Sequence, residues 1–235
     1  MSMLGLHRHD DTPEPLPALR RRLLVAGLVL LALAAVLTAV VAIRPGVVQG
    51  LDNWFLHEVE EARWAPLVAV SKALSTIFGT VVLWPVRAVV TLVIALRRHW
   101  LALGAWVCTV ALSEAAIGPV KALVDRPRPP GSLIATTGAS YPSGHAIASA
   151  VTAIGVVMAL TSGRTRLHGM VVAVLVTTTV AFSRPYLGAH WLSDVVGGAL
   201  IGAGLALAVP EAFEVARDRR GARFSGGAAA PPRAA

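Results

Sequence analysis

Apolar residues occur along this chain in long blocks that short polar stretches separate. Six blocks have roughly the 20 residues that a helix needs to cross ~30 Å of hydrocarbon. The predicted spans are Leu23–Ile43, Pro66–Leu96, Trp100–Val120, His145–Ser162, Leu167–Phe182 and Trp191–Val209. This pattern predicts an all-α, polytopic membrane protein with six transmembrane helices.

The polar segments indicate how the domain is bounded. Residues 51–64 are acidic and aromatic, with Trp54 and Trp64 towards the ends, and predict an amphipathic helix at the membrane interface after the first span. Residues 1–19 are polar and proline-rich, and residues 211–235 are basic and then low in complexity. We expect disordered cytoplasmic tails in both places, and one six-helix domain over residues 20–210.

The first span has a second interpretation as a signal peptide, because Arg20, Arg21 and Arg22 precede it. Its apolar block is longer than an ordinary signal-peptide core and lacks a convincing small-residue cleavage site. We therefore expect a retained transmembrane helix.

Composition supports a membrane protein. Hydrophobic residues make up 55% of the 235 residues and charged residues only 14%, whereas a soluble domain carries about 25% charged residues. The net charge is +8, but the arginines cluster at the ends of apolar blocks, so topology explains them better than nucleic-acid binding does. Cys108 is the only cysteine, so neither an internal disulfide nor a cysteine metal site can form.

The distribution of cations predicts an orientation. Most arginines outside three polar clusters, such as Arg97, Arg98 and Arg164, fall on the side that six spans give to both termini. The positive-inside rule places that side in the cytoplasm. The three polar clusters then all lie on the extracytoplasmic face of a cell membrane.

The first two clusters carry groups that suit an anion. Lys121 ends the third span, and Arg126 and Arg128 follow among prolines that hold the chain extended. A guanidinium can bind two phosphate oxygens at once, and a lysine adds a point charge. In the second cluster, Tyr141-Pro142-Ser143-Gly144-His145, Ser143 is the expected N-cap of a helix whose free amides form an anion site.

The third cluster adds a candidate nucleophile. Arg184 ends the fifth span, and His190 and Asp194 open the sixth. Residues four apart on a helix share a face, so we expect the Asp194 carboxylate to orient the His190 ring and to leave its other nitrogen free to attack. His145 is then the second histidine that a general acid requires.

Together these residues resemble the three-part signature of the type 2 phosphatidic acid phosphatase (PAP2) family of membrane lipid phosphatases. The strings are Lys121-x6-Arg128-Pro129, Pro142-Ser143-Gly144-His145 and Ser183-Arg184-x5-His190-x3-Asp194, and the signature region is 121–194. Pro185 and the Trp191-Leu192 pair depart from the residues that relatives often carry, without removing a charged signature position.

The resemblance implies a role for each signature residue. His190 forms a phosphohistidine, Asp194 orients it, and His145 protonates the leaving group and then activates water. The residues implied in phosphate binding are Lys121, Arg128, Ser143, Gly144 and Arg184, with Arg126 and Tyr141 as accessory residues. No metal and no cofactor is implied, and the predicted outer face has no carboxylate cluster suited to Mg²⁺.

Three functions remain open at this stage. The favoured one is hydrolysis of an amphiphilic mono- or diphosphate, with polyprenyl (undecaprenyl-type) diphosphate preferred slightly over phosphatidic acid and phosphatidylglycerol phosphate. A lipid phosphotransferase would use the same phosphohistidine. A lipid-phosphate binding or transport protein would need the cations but not His145, His190 and Asp194. The expected partners are a lipid phosphate and the bilayer, not nucleic acid, and the sequence gives no oligomeric state.

Two further features predict helix packing. Arg87 and Glu114 are ionisable residues inside the second and third spans, and we expect them to form an ion pair between helices, although Glu114 could instead position Lys121. Gly198 and Gly202 form a small-xxx-small motif, which we expect to pack helices within the chain.

Overall fold

The computed structural model describes residues 16–225, which form α-helices and no β-strand. The helices are α1 (Leu16–Ile43), α2 (Gly46–Glu61), α3 (Ala65–Ile77), α4 (Thr80–Leu96), α5 (Trp100–Val124), α6 (Gly144–Leu160), α7 (Gly163–Tyr186) and α8 (Leu192–Ser225). The all-α prediction is therefore confirmed for this part of the chain.

Four of these helices, α1, α5, α7 and α8, are long and apolar enough to cross a membrane. They identify a multi-pass membrane protein. The helices α3 and α4 pass the same test only when taken together, and α6 is a shorter apolar helix of 17 residues. Six spans thus stay a prediction, as does an interfacial position for α2.

The predicted second span is wrong as one continuous helix. The chain breaks after Ile77, and α3 and α4 meet at a bend of 51°. The break lies at Gly79, whose extended backbone makes it the N-cap of α4. This bend brings the C-terminal end of α3 beside the start of α6, where a Cβ added at Gly79 would lie 3.9 Å from the His145 Nε2.

Helix α8 is the central packing partner, since it contacts α1, α5, α6 and α7. Its glycines allow close approach to α6. A Cβ at Gly198 would lie 2.6 Å from the Ser143 carbonyl oxygen, and a Cβ at Gly202 would lie 2.6 Å from that of Ile147. The predicted packing role of this glycine pair is confirmed. The two glycines let the start of α6 pack closely against the first turns of α8.

The predicted C-terminal tail is wrong for residues 211–225, because α8 continues to Ser225. Arg20 of α1 lies 3.3 Å from Glu214 and 3.6 Å from Asp218, so ion pairs between α1 and α8 stabilise the extension. Glu214 also pairs with Arg217 within α8 at 2.5 Å. At the other end, residues 16–19 already belong to α1. Residues 1–15 and 226–235 lie outside the described residues.

Candidate active site

The three polar clusters meet at one end of the bundle. There α5 ends, α6 begins, α7 ends and α8 begins. The cluster residues come from the last turn of α5, the 125–143 loop, the start of α6, the last turn of α7 and the 187–191 turn before α8.

His190 lies at the centre of these contacts and is only 3% exposed. Its Nε2 is 3.3 Å from the Arg128 Nη1. On the other side of the ring, Nδ1 is 3.4 Å from the Ser140 Oγ and 3.5 Å from the Asp194 Oδ2. The ring therefore has an acidic side at Nδ1 and a cationic side at Nε2.

Burial lowers the pKa of the His190 imidazole from 6.5 to about 4, because removing the ring from water disfavours the imidazolium. The nearby Asp194 carboxylate opposes this shift, and the Arg128 and Arg184 cations add to it. At pH 5 to 8 the ring is neutral and retains the lone pair that a nucleophile needs.

A titration of His190 should show this depressed pKa. In ¹⁵N-histidine NMR spectra in detergent, the resonance that disappears in His190→Gln should titrate near pH 4, because the buried ring takes up a proton only in strong acid. A His190 midpoint at 6.5 or above would contradict the burial argument.

The contact between His190 and Asp194 has a different origin from the one predicted. His190 precedes α8, which begins at Leu192, so the two residues do not share a helical face. Asp194 instead lies in the first turn of α8 and accepts a hydrogen bond from the Trp191 backbone N–H at 2.8 Å. This bond folds the chain back so that the carboxylate reaches the His190 ring.

Asp194 is fully buried and has further partners. The Ser140 hydroxyl donates to Oδ2, and the Arg126 Nη1 donates to Oδ1 at 2.8 Å. Because these donors stabilise the ionised form, they supply the carboxylate with a fixed position and a compensating charge.

Arg126, predicted as an accessory phosphate ligand, is instead buried behind the histidine. Its guanidinium stacks on the Trp191 ring at 5.4 Å and bridges Asp194 to Asp52 of α2, with a 2.7 Å bond to the Asp52 Oδ2. Asp52 also accepts from the Ser193 N–H at 2.8 Å. Arg126 therefore supports Asp194.

His145 and Arg184 are joined by Ser75 of α3. The Arg184 Nη1 donates to the Ser75 Oγ at 2.5 Å, and the His145 Nε2 lies 3.0 Å from the Ser75 carbonyl oxygen. A carbonyl only accepts hydrogen bonds, so His145 carries its proton on Nε2 in this arrangement. The other ring nitrogen remains available for proton exchange.

Two donors of the site have no acceptor within the described part of the chain. They are the buried Arg184 Nε and the buried Ser143 Oγ. Ser143 is the N-cap residue of α6, as predicted, but its hydroxyl makes no capping bond. A Cβ at Gly144 would meet nothing within 4 Å, so open space borders the start of α6.

Lys121 and Arg128 are held by backbone carbonyls. Lys121 donates to the Ala139 carbonyl, and Arg128 donates to those of Gly138 at 3.0 Å and Thr137 at 2.9 Å. Among residues 16–225, no carboxylate forms a salt bridge with Lys121, Arg128 or Arg184. These bonds position the three cations without neutralising their charge, which suits an anionic ligand.

Tyr141, the other predicted accessory residue, does not reach the site. It is fully buried, its hydroxyl pairs with the Thr38 Oγ1 of α1 at 2.8 Å, and its ring packs against Gly197. Burial raises the pKa of its phenol. Tyr141 therefore anchors the 125–143 loop to the bundle.

Sequence reasoning missed Ser75, Ser140 and Asp52. Ser75 and Asp52 lie on helices that a linear motif does not connect to the clusters, and a lone serine or aspartate gives no distinct signal. Within the part of the chain that the structure describes, no three His, Cys, Asp or Glu side chains group together as in a metal site.

Comparison with known proteins gives three findings. The chain matches the family model of the PAP2 superfamily over residues 100–218. It is 32% identical over 172 residues to the decaprenylphosphoryl-5-phosphoribose phosphatase of Mycolicibacterium smegmatis, covering 70% of this chain and 79% of that protein. Its fold is similar to that of the crystal structure of a transmembrane PAP2-type phosphatidylglycerolphosphate phosphatase from Bacillus subtilis, with a TM-score of 0.67, 20% identity and coverage of 81% and 96%. The family match includes all three polar clusters.

Proposed function

Because the chain belongs to the PAP2 superfamily, we propose that it is a membrane phosphatase that hydrolyses an amphiphilic lipid phosphate at the extracytoplasmic face. The main support is the set of cations Lys121, Arg128 and Arg184, which lack carboxylate partners among the described residues and surround a neutral, buried His190. A binding protein would need the cations but not the oriented histidine.

The proposed topology has six spans and both termini in the cytoplasm. The spans are α1, the bent pair α3–α4, α5, α6, α7 and α8, with α2 at the outer interface. Supporting this, α1 and α8 pair through Arg20 and Glu214 at the end opposite the polar clusters, and basic residues follow there as the positive-inside rule expects.

In the proposed first step, the His190 Nε2 attacks phosphorus and the bond to the leaving-group oxygen breaks. Asp194 keeps the proton on Nδ1 of His190. His145, protonated on both ring nitrogens in the complex with the anionic phosphate, keeps its Nε2 proton on the Ser75 carbonyl and gives its Nδ1 proton to the leaving oxygen. Lys121, Arg128 and Arg184, with the Ser143 hydroxyl and Gly144 amide, bind the equatorial oxygens and stabilise the charge that develops there.

In the second step, water attacks the phosphohistidine and the P–N bond breaks. His145 accepts the proton from the water, inorganic phosphate leaves, and His190 returns to its neutral form. The charge stabilisation that a metal supplies in many phosphatases comes here from three fixed cations.

The proposed substrate carries its phosphate on a polyprenyl or diacyl lipid. Polyprenyl-linked phosphates come first, because the M. smegmatis relative is named for a decaprenyl-linked substrate. Phosphatidic acid and phosphatidylglycerol phosphate follow. A panel of these lipid phosphates in detergent, read as phosphate release, tests the proposal. Release from none of them would refute it, and transfer of phosphate to an added alcohol would indicate the transferase.

Metal removal should leave this activity unchanged. In excess EDTA we expect a rate within about twofold of the untreated rate, because protein cations neutralise the phosphate. A parallel sample in the same detergent with added Mg²⁺ is the control, and it should show full activity. Loss of turnover in EDTA and its recovery with Mg²⁺ would contradict the mechanism.

A further inference from the structure

A polar cavity adjoins the site on its membrane side. It has a volume of about 240 Å³ between α4, α5 and α6, and Phe78, Trp84, Arg87, Glu114 and His145 line it. Gly144 and His145 form the end nearest the phosphate site. On the proposed mechanism this is the side of the leaving group, since His145 protonates the leaving oxygen.

The predicted ion pair between Arg87 and Glu114 is confirmed, with a distance of 2.6 Å, and Glu114 does not contact Lys121. Arg87 is 3% exposed; its Nε donates to the Thr152 Oγ1 at 3.0 Å. Its Nη2 is buried and has no partner within residues 16–225. A buried donor without an acceptor is unfavourable, so an oxygen atom that a ligand brings to the Arg87 Nη2 would form a favourable hydrogen bond.

Glu114 contributes the opposite property. Its side chain is 36% exposed, and Arg87 binds one of its two carboxylate oxygens. The second oxygen can accept a hydrogen bond from a ligand hydroxyl. The cavity thus combines one unused donor and one unused acceptor with the aromatic faces of Phe78 and Trp84.

The depth of this pair relative to the phosphate site follows from helix geometry. Thr152, which holds Arg87, lies seven residues after His145 on α6, or roughly 10 Å along the axis. Beyond Arg87, a second cavity of about 230 Å³ continues between α4 and α5, and its lining is mostly apolar, including Val107 and Val110. From the phosphate site inward, the lining changes from cationic to polar to apolar.

We propose that the Arg87–Glu114 cavity binds a hydroxyl-bearing group, such as a pentose or glycerol unit, that links the phosphate to the lipid chain. This inference rests on the proposed function and narrows its substrate class. A plain alkyl or prenyl alcohol would leave both polar groups unused, whereas a sugar or polyol accepts from the Arg87 Nη2 and donates to Glu114. The apolar chain then continues between α4 and α5.

Two synthetic substrates with the same chain test this proposal: n-dodecyl ribofuranoside 5-phosphate and n-dodecyl phosphate. Both are esters of a primary alcohol, but only the first carries ribose hydroxyls. The measured quantity is the ratio of their kcat/KM values in wild type, Glu114→Gln, Ala148→Leu and Glu211→Gln.

Glutamine at position 114 keeps a carbonyl for Arg87 but is a weaker hydrogen-bond acceptor, and leucine at position 148 fills the cavity. Glu211 is a buried carboxylate in another cavity and serves as the matched control.

We expect the wild type and Glu211→Gln to favour the riboside phosphate by tenfold or more, roughly one charged hydrogen bond. The preference should fall about tenfold in Glu114→Gln and in Ala148→Leu, while hydrolysis of dodecyl phosphate persists. An equal ratio in all four proteins, with both substrates hydrolysed, overturns the subsite and leaves the proposed function standing. Hydrolysis of neither substrate by wild type overturns both. If Glu114→Gln does not fold, the ratio in Ala148→Leu decides.

Discussion

Replacing His190 by glutamine will slow phosphate release from a lipid phosphate by at least about 10⁴-fold, the scale on which loss of a nucleophile reduces turnover. Glutamine cannot form the P–N bond, although it fits the buried space beside Asp194 and Ser140. The fixed cations remain, so binding of the substrate should change much less than kcat.

The matched control is His57→Gln, which removes an exposed histidine of α2 that pairs with Glu61. It should retain wild-type turnover in the same detergent. Both variants should unfold within a few degrees of wild type, which separates loss of chemistry from loss of fold. A His190→Gln protein with more than a few per cent of wild-type kcat would contradict the assignment of the nucleophile.

Replacing Asp52 by alanine will lower the free energy of unfolding by about 2–4 kcal/mol, because buried Arg126 loses one of two counter-ions and the buried Ser193 N–H loses its acceptor. Arg126 and Asp52 are 4% and 1% exposed at their side chains, and Asp52 also binds the Ser193 backbone and hydroxyl. Without Asp52, Asp194 is the one counter-ion that the Arg126 guanidinium keeps within residues 16–225. Chemical unfolding in detergent, followed by tryptophan fluorescence, measures the change.

Glu61→Ala is the control for this experiment, since Glu61 lies on the same helix in an exposed pair with His57. Its effect should stay within about 1 kcal/mol, as for surface pairs. If Asp52→Ala and Glu61→Ala proved equally stable, Arg126 would not depend on the Asp52 contact and the buried network would lose its structural role.

The candidate site residues could be found in the sequence because each cluster is local. Gly144 and His145 follow one another, and only five residues separate Arg184 from His190. A linear motif therefore preserves the spacing of the residues within each cluster. Long apolar blocks likewise give the helices α1, α5, α7 and α8, since the length needed to cross hydrocarbon is fixed.

Other features depend on contacts between distant segments and could not be predicted in this way. Ser75 reaches His145 only because the chain bends at Gly79, within a block that is mostly apolar. Asp52 reaches Arg126 across more than 70 residues. Residues 211–225 look like a tail in isolation, but Glu214 lies between Arg20 and Arg217 in the folded protein.

The buried network also explains why two arginines so close in sequence differ in function. Arg126 faces the carboxylates Asp52 and Asp194, whereas Arg128 faces backbone carbonyls and the His190 Nε2. Alternation along an extended chain would place residues 126 and 128 on the same side, so their different directions come from their partners. Asp52 of α2 and Asp194 of α8 bind Arg126, whereas loop carbonyls bind Arg128. In the proposed mechanism, Arg126 orients His190 through Asp194, and Arg128 binds phosphate.

The central claim is that the phosphoryl group is transferred first to His190 and only then to water. The stereochemical outcome at phosphorus tests this most directly. The substrate is a lipid phosphate whose terminal phosphorus is chiral because it carries one sulfur atom and one oxygen isotope, and it is turned over in water that carries another oxygen isotope. Two in-line displacements, first by His190 and then by water, predict net retention of configuration. Net inversion would mean a single direct attack by water and would contradict the phosphohistidine mechanism.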